Sequence, residues 1–230
     1  MIRLNHWLDE QGIMKRILAT LLFCLSSKSI AQETTTYKIV DSILNRLDHA
    51  AEKLNLATKG YKLIINYYFD AAGFSMNSDG TLEVSAIYIT KLKTEDAVSS
   101  LLAHELIHRA RKHYELGIEP LAAEFEADRF GIELMVAAGF NPLAAIVAYR
   151  DYVQYYGETT PGIGPHNDED HPDDKSRIHE MEKVALRMAN GKKLISTSLS
   201  EEGLEKIKCE VHANMNGNRY EPNSGPCLKL

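Results

Sequence analysis

His104-Glu105-Leu106-Ile107-His108, with Glu124-Phe125-Glu126-Ala127-Asp128 beginning sixteen residues after the second histidine, is the stretch on which the reading of this chain turns. Thr94 is a good N-cap, and Glu95 and Asp96 fall in the first turn, where the helix dipole favours acids, so residues 94–114 are expected to form one helix. Each helical step turns by about 100°, which brings His104 and His108 within about 40° of each other on one face, where both imidazoles can reach a single zinc ion. Glu105 flanks that face and can take a proton from a water that the metal has made acidic.

A catalytic zinc needs a third protein ligand. A metzincin would carry Gly and His at positions 111 and 114; Arg111 and Tyr114 stand there and exclude that class. His113 lies about 140° around the expected helix from His108 and would face away from the metal. The next helix, residues 120–139, opens on Pro120 and stops at Gly139. On it Glu124 and Asp128 share a face one turn apart, whereas Glu126 points about 200° away from Glu124. Glu124 is therefore the expected third ligand. Asp128 is placed to hydrogen-bond the outer nitrogen of a ligand histidine, fixing its tautomer. Ala127 and Gly131 keep this helix slim enough for close approach. The competing reading of the two acids is a solvated acidic face; the neighbouring histidine pair favours the metal.

Outward from this core, Val40, Ile43, Leu44, Leu47 and Ala51 recur at helical spacing over residues 36–56. Residues 61–70 and 82–89 read as two strands of a small sheet, the second a candidate docking edge for an extended peptide. Helices are expected at 141–156, 172–190 and 200–209, with an irregular loop at 157–170. No repeat or linker interrupts the chain, so the expected fold is α+β: one domain, mostly helical with a small sheet.

The 230 residues are 44% hydrophobic and 25% charged, ordinary globular composition that excludes whole-chain disorder. A formal charge of −6 without basic blocks argues against a nucleic-acid partner. The only long apolar run, residues 17–25, is about half of the roughly 20 residues that a bilayer-spanning helix needs, so stable membrane insertion is not expected. Met14-Lys15-Arg16, that apolar run and Ser29-Ile30-Ala31 together have the pattern of a secretory signal ending at Ala31, with Met14 as the true start. An N-terminal amphipathic helix is the other reading. Cleavage would leave residues 32–230 with a charge of −8 and two cysteines, Cys209 and Cys227. In an oxidising compartment these are expected to pair and close the C-terminal tail.

The HELIH run, the segment EFEADRFGIELMVAAGFNP, and His171-Pro172 with Arg177-Ile178 resemble the gluzincin metallopeptidases that include the CAAX prenyl proteases, the mitochondrial Oma-type proteases and the bacterial periplasmic BepA-like and LoiP-like proteases. The resemblance spans residues 61–181 and implies a zincin-like domain with one zinc held by His104, His108 and Glu124, supported by Asp128. It further implies that His171 and Arg177 sit at the metal and steady the developing oxyanion, and that His171 can fill the open zinc position and silence the enzyme. The short interval between His108 and Glu124 makes this a minimal version, without the membrane helices or repeat domain of its larger relatives. The expected function is a periplasmic or secreted zinc endopeptidase acting on extended or misfolded proteins, with outer-membrane or envelope proteins as the clients that the family suggests. The alternative is a zinc-stabilised, chaperone-like binding protein with latent or vestigial protease activity, in which Glu105 would have no use.

Overall fold

Thr35–Lys53 (α1) turns its apolar stripe inward, with Val40, Ile43, Leu44, Leu47 and Ala51 at most 2% exposed. The computed structural model describes residues 34–68, 73–159, 174–190 and 197–215. The chain divides into Met1–Thr34 and Thr35–Leu230, and every element described here lies in the second part. The expected signal sequence, His171 and Cys227 lie outside the described residues.

After α1 come Lys62–Asn66 (β1), Phe74–Met76 (β2) and Thr81–Ser85 (β3), which form a three-stranded mixed sheet in the order β1-β3-β2. β1 runs parallel to β3, with Ile65 opposite Val84, and β2 runs antiparallel to it, with Ser75 opposite Glu83. The β2–β3 turn is held by Asp79, which accepts from the Thr81 N–H at 2.9 Å, and by Gly80 at φ 81°, a conformation that glycine reaches without a Cβ clash.

This overturns the expected edge strand at 82–89. β3 is the central strand, and Ser85 ends it by capping a helix, its side chain accepting from the Tyr88 N–H at 3.2 Å. Ala86–Leu92 (α2) then carries buried Tyr88 and Ile89 into the core. Among the described residues the free edge beside the helices belongs instead to β2, three residues that alternation alone did not announce.

Thr94 caps Glu95–Ala110 (α3), accepting from the Ala97 N–H at 3.1 Å. Leu102, Ala103, Leu106 and Ile107 on this helix are fully buried. Buried Asp96 accepts from the backbone N–H groups of Asn141 and Thr197, both at 2.8 Å, and so anchors two distant segments at the start of α3. Among the described residues four further helices follow His113–Leu116 (α4): Pro120–Ala137 (α5), Leu143–Thr159 (α6), Asp174–Ala189 (α7) and Glu201–Met215 (α8). α6 thus continues three residues beyond its expected end at 156. α8 returns to the start of α1, where Glu210, wholly buried, accepts from the N–H groups of Thr35 and Thr36 at 2.5 and 3.1 Å and from the Thr36 hydroxyl. The fold is α+β and mostly helical, with a small mixed sheet, and α3 packs against α5, α6 and β2.

Candidate metal centre

The pairing of α3 with α5 depends on two small residues. Ala127 is fully buried, and a Cβ on Gly131 would lie 3.1 Å from the His104 backbone nitrogen, tighter than ordinary packing allows. This close crossing carries the Glu124 carboxylate to the histidines. Its oxygens lie 3.4 Å from His104 Nε2 and 3.3 Å from His108 Nε2, and the two Nε2 atoms are 3.1 Å apart. One donor atom from each of the three residues falls within 4.8 Å of the others, a spacing that a single ion can bridge.

Behind His104, Nδ1 meets Asp128 Oδ1 at 2.9 Å, as the helix angles predicted. Arg177 of α7, only 4% exposed, clamps two acids of α5: Nε and Nη2 lie 2.8 Å from the two Asp128 oxygens and Nη1 lies 2.8 Å from Glu124 Oε2. Its guanidinium also rests over the Tyr149 ring at 4.4 Å. The resemblance gives Arg177 a place at an oxyanion; in the structure each of its three nitrogens meets a carboxylate of Asp128 or Glu124.

His113 and Glu126 correct the sequence reading. α3 does not run on to 114: it ends at Ala110, and Lys112 adopts the left-handed conformation at φ 56°. This reversal swings His113 back beneath the site, where its Nδ1 lies 3.0 Å from His108 Nδ1 and its Nε2 lies 3.1 Å from Glu126 Oε2. Glu126 indeed points away from Glu124, but toward His113 and Arg111, 3.4 Å from the latter. Positive φ is uncommon for a lysine, so no residue type signalled the break. Tyr114, half exposed, stacks on His108 with ring centroids 5.8 Å apart.

The electrostatics fit a cation. Burial alone would push the His104 imidazole down, but Glu124 and Asp128 outweigh it and raise its pKa to about 10. Burial likewise opposes ionisation of Glu124 and Asp128. Charge and hydrogen bonds from His104, with Arg177, nevertheless hold both well below the usual carboxylate range, and His108 adds a bond to Glu124. The cluster therefore stabilises positive charge at the nitrogen that faces the donor set. Burial pushes His108 and His113 the other way, toward the neutral form that ligates. Burial raises Glu105 to about 7. One of its oxygens accepts from the Met76 N–H of β2 at 2.6 Å, so the sheet edge and the acid are joined.

His104, Glu105, His108, Glu124, Asp128 and Arg177 open on a cavity of about 250 Å³, lined also by Phe74, Ser75, Leu101, Tyr152 and Met181. Cys209 on α8, away from this centre in the chain, is disulfide-bonded. Among the described residues no helix is long and apolar enough to cross a membrane. No family model matches the chain, and a search of curated proteins finds no match.

Proposed function

We propose that this chain is a zinc-dependent endopeptidase of the gluzincin type with a zincin-like domain, acting in the periplasm or after secretion on extended or misfolded proteins. The observation that supports it most is the convergence of His104, His108 and Glu124 beside a buried Glu105, with the outer nitrogen of each histidine already engaged. Two imidazoles and a carboxylate are a donor set suited to zinc, and the bound ion would supply Lewis acidity and a nucleophilic water at neutral pH.

The chain's own groups divide the remaining work. Glu105, with a pKa near the working pH and one oxygen fixed by Met76, is poised to accept a proton from the attacking water and return it to the leaving amine. Arg177 and Asp128 keep His104 in the tautomer that presents Nε2. The backbone of β2 receives the substrate. Gly73 and Asn77 bond to β3, so alternation turns the backbone groups of Phe74 and the Met76 carbonyl outward, while the Met76 N–H is taken by Glu105. An extended peptide can add there as a further strand, which gives affinity through main-chain bonds and leaves side-chain selectivity loose.

Metal analysis and casein cleavage test this reading together. The purified protein should hold about one zinc per chain; a chelator should abolish cleavage, and zinc should restore it. A zinc-loaded, folded protein that cleaves nothing would leave the chaperone-like alternative standing.

A further inference from the structure

We infer that His113 and Glu126 form a hydrogen-bond relay that orients His108 and sets the metal affinity of the centre; this rests on the zinc reading above. For His108 to offer the Nε2 lone pair to the ion, its proton must sit on Nδ1. That nitrogen faces His113 Nδ1 at 3.0 Å, so His113 must accept there and carry its own proton on Nε2. His113 Nε2 in turn meets Glu126 Oε2 at 3.1 Å. One tautomer of each ring satisfies both contacts of the relay.

The alternative tautomer of His108 would aim an N–H at Glu124 and leave no lone pair for an ion. His113 is 3% exposed, and its ring meets that of His108 nearly edge-on, at 87° with centroids 4.9 Å apart. Water has little access to replace it. An apolar side chain at 113 would leave the His108 Nδ1–H without its acceptor, a cost that ligation would have to overcome. Glu126, on the helix that bears Glu124, thus reaches the centre through a second route, from the opposite side of α5. His113 and Glu126 are positioning residues, and neither touches the reacting atoms.

The test compares zinc affinity, by competition with a chromophoric chelator, in the wild-type protein and in His113→Phe, His113→Asn, Glu126→Gln and Glu124→Ala. The visible spectrum of the cobalt-substituted forms reports the ligand field, and circular dichroism of the zinc-free forms reports folding. His113→Phe should bind zinc about 10–100-fold more weakly. His113→Asn should recover part of that loss, because its amide oxygen can accept the His108 proton. Glu126→Gln, at a partly exposed position that does not endanger folding, should lose only a few-fold and shift the cobalt spectrum. Zinc binding within twofold of wild type in both His113→Phe and Glu126→Gln would overturn the relay, and so would a loss in His113→Phe that His113→Asn does not relieve. If His113→Phe does not fold, the Glu126→Gln result decides. Glu124→Ala separates the two readings: if it loses zinc while the relay variants do not, the centre stands without the relay, and if it too retains zinc, the centre itself is misassigned.

Discussion

His104 is backed from the interior by Asp128, which is itself clamped along two edges by a buried arginine, whereas His108 leans on a second imidazole whose partner, Glu126, keeps 34% of its side chain in solvent. The first support is ionic and enclosed. The second is neutral where it touches the ligand and charged only at its rim. Buried ion pairs are costly to break because the surviving charge has nowhere to go, while a rim charge is screened and changes little when removed. On the proposed zinc reading, the inner side would hold the architecture of the centre and the outer side would adjust how tightly the ion binds.

Arg177→Met should show the contrast most strongly. In the zinc-free protein it leaves the buried Asp128 and Glu124 with the His104 imidazolium alone in place of two cations, and denaturant unfolding should register a loss of about 3–5 kcal/mol. A loss below about 1 kcal/mol would place the inner side on the same footing as a surface pair. Asp128→Asn comes next: it removes the carboxylate behind His104, and zinc affinity should fall about 10–100-fold. Glu126→Gln, its counterpart across the centre, should give the smallest change in the same titration. If Glu126→Gln equals or exceeds Asp128→Asn, the division between inner and outer support fails.

The two histidines also differ in their response to pH. His104 has its pKa raised from 6.5 to about 10 in the folded protein, so its contribution to stability is full below pH 6.5 and is lost as pH rises through about 10. His108 and His113 are held below 6.5, so theirs is present above 6.5 and lost on acidification. The melting temperature of the zinc-free protein should accordingly fall between pH 7 and 10, Asp128→Asn should flatten that decline, and His113→Phe should leave it in place. Saturating zinc should remove it, since His104 is then held in its deprotonated form.

The His104–Glu124–Asp128 geometry was legible in the sequence because helix rotation depends only on spacing, and both helices are regular where those residues sit. Gly131 likewise announced the close crossing. What lay beyond reading were events that local pattern does not encode. Ser85 serves both as the last residue of a strand and as a helix cap, so the apolar run 82–89 changes structure in its middle. β2 is three residues long and becomes a strand only through pairing with β3. The left-handed turn at Lys112 reverses the direction of His113, and with it the meaning of Glu126, whose angular separation from Glu124 on α5 turns it toward His113.

Whether this centre cleaves peptide bonds with Glu105 as base is tested most directly by casein cleavage with Glu105→Gln and wild-type protein at equal, verified zinc loading. Glutamine preserves the shape of the side chain and can still accept from the Met76 N–H, but it cannot take a proton at neutral pH. Glu105→Gln should keep its zinc and its fold and lose cleavage by at least about 100-fold. Cleavage at the wild-type rate by the zinc-loaded variant would contradict Glu105 as the base.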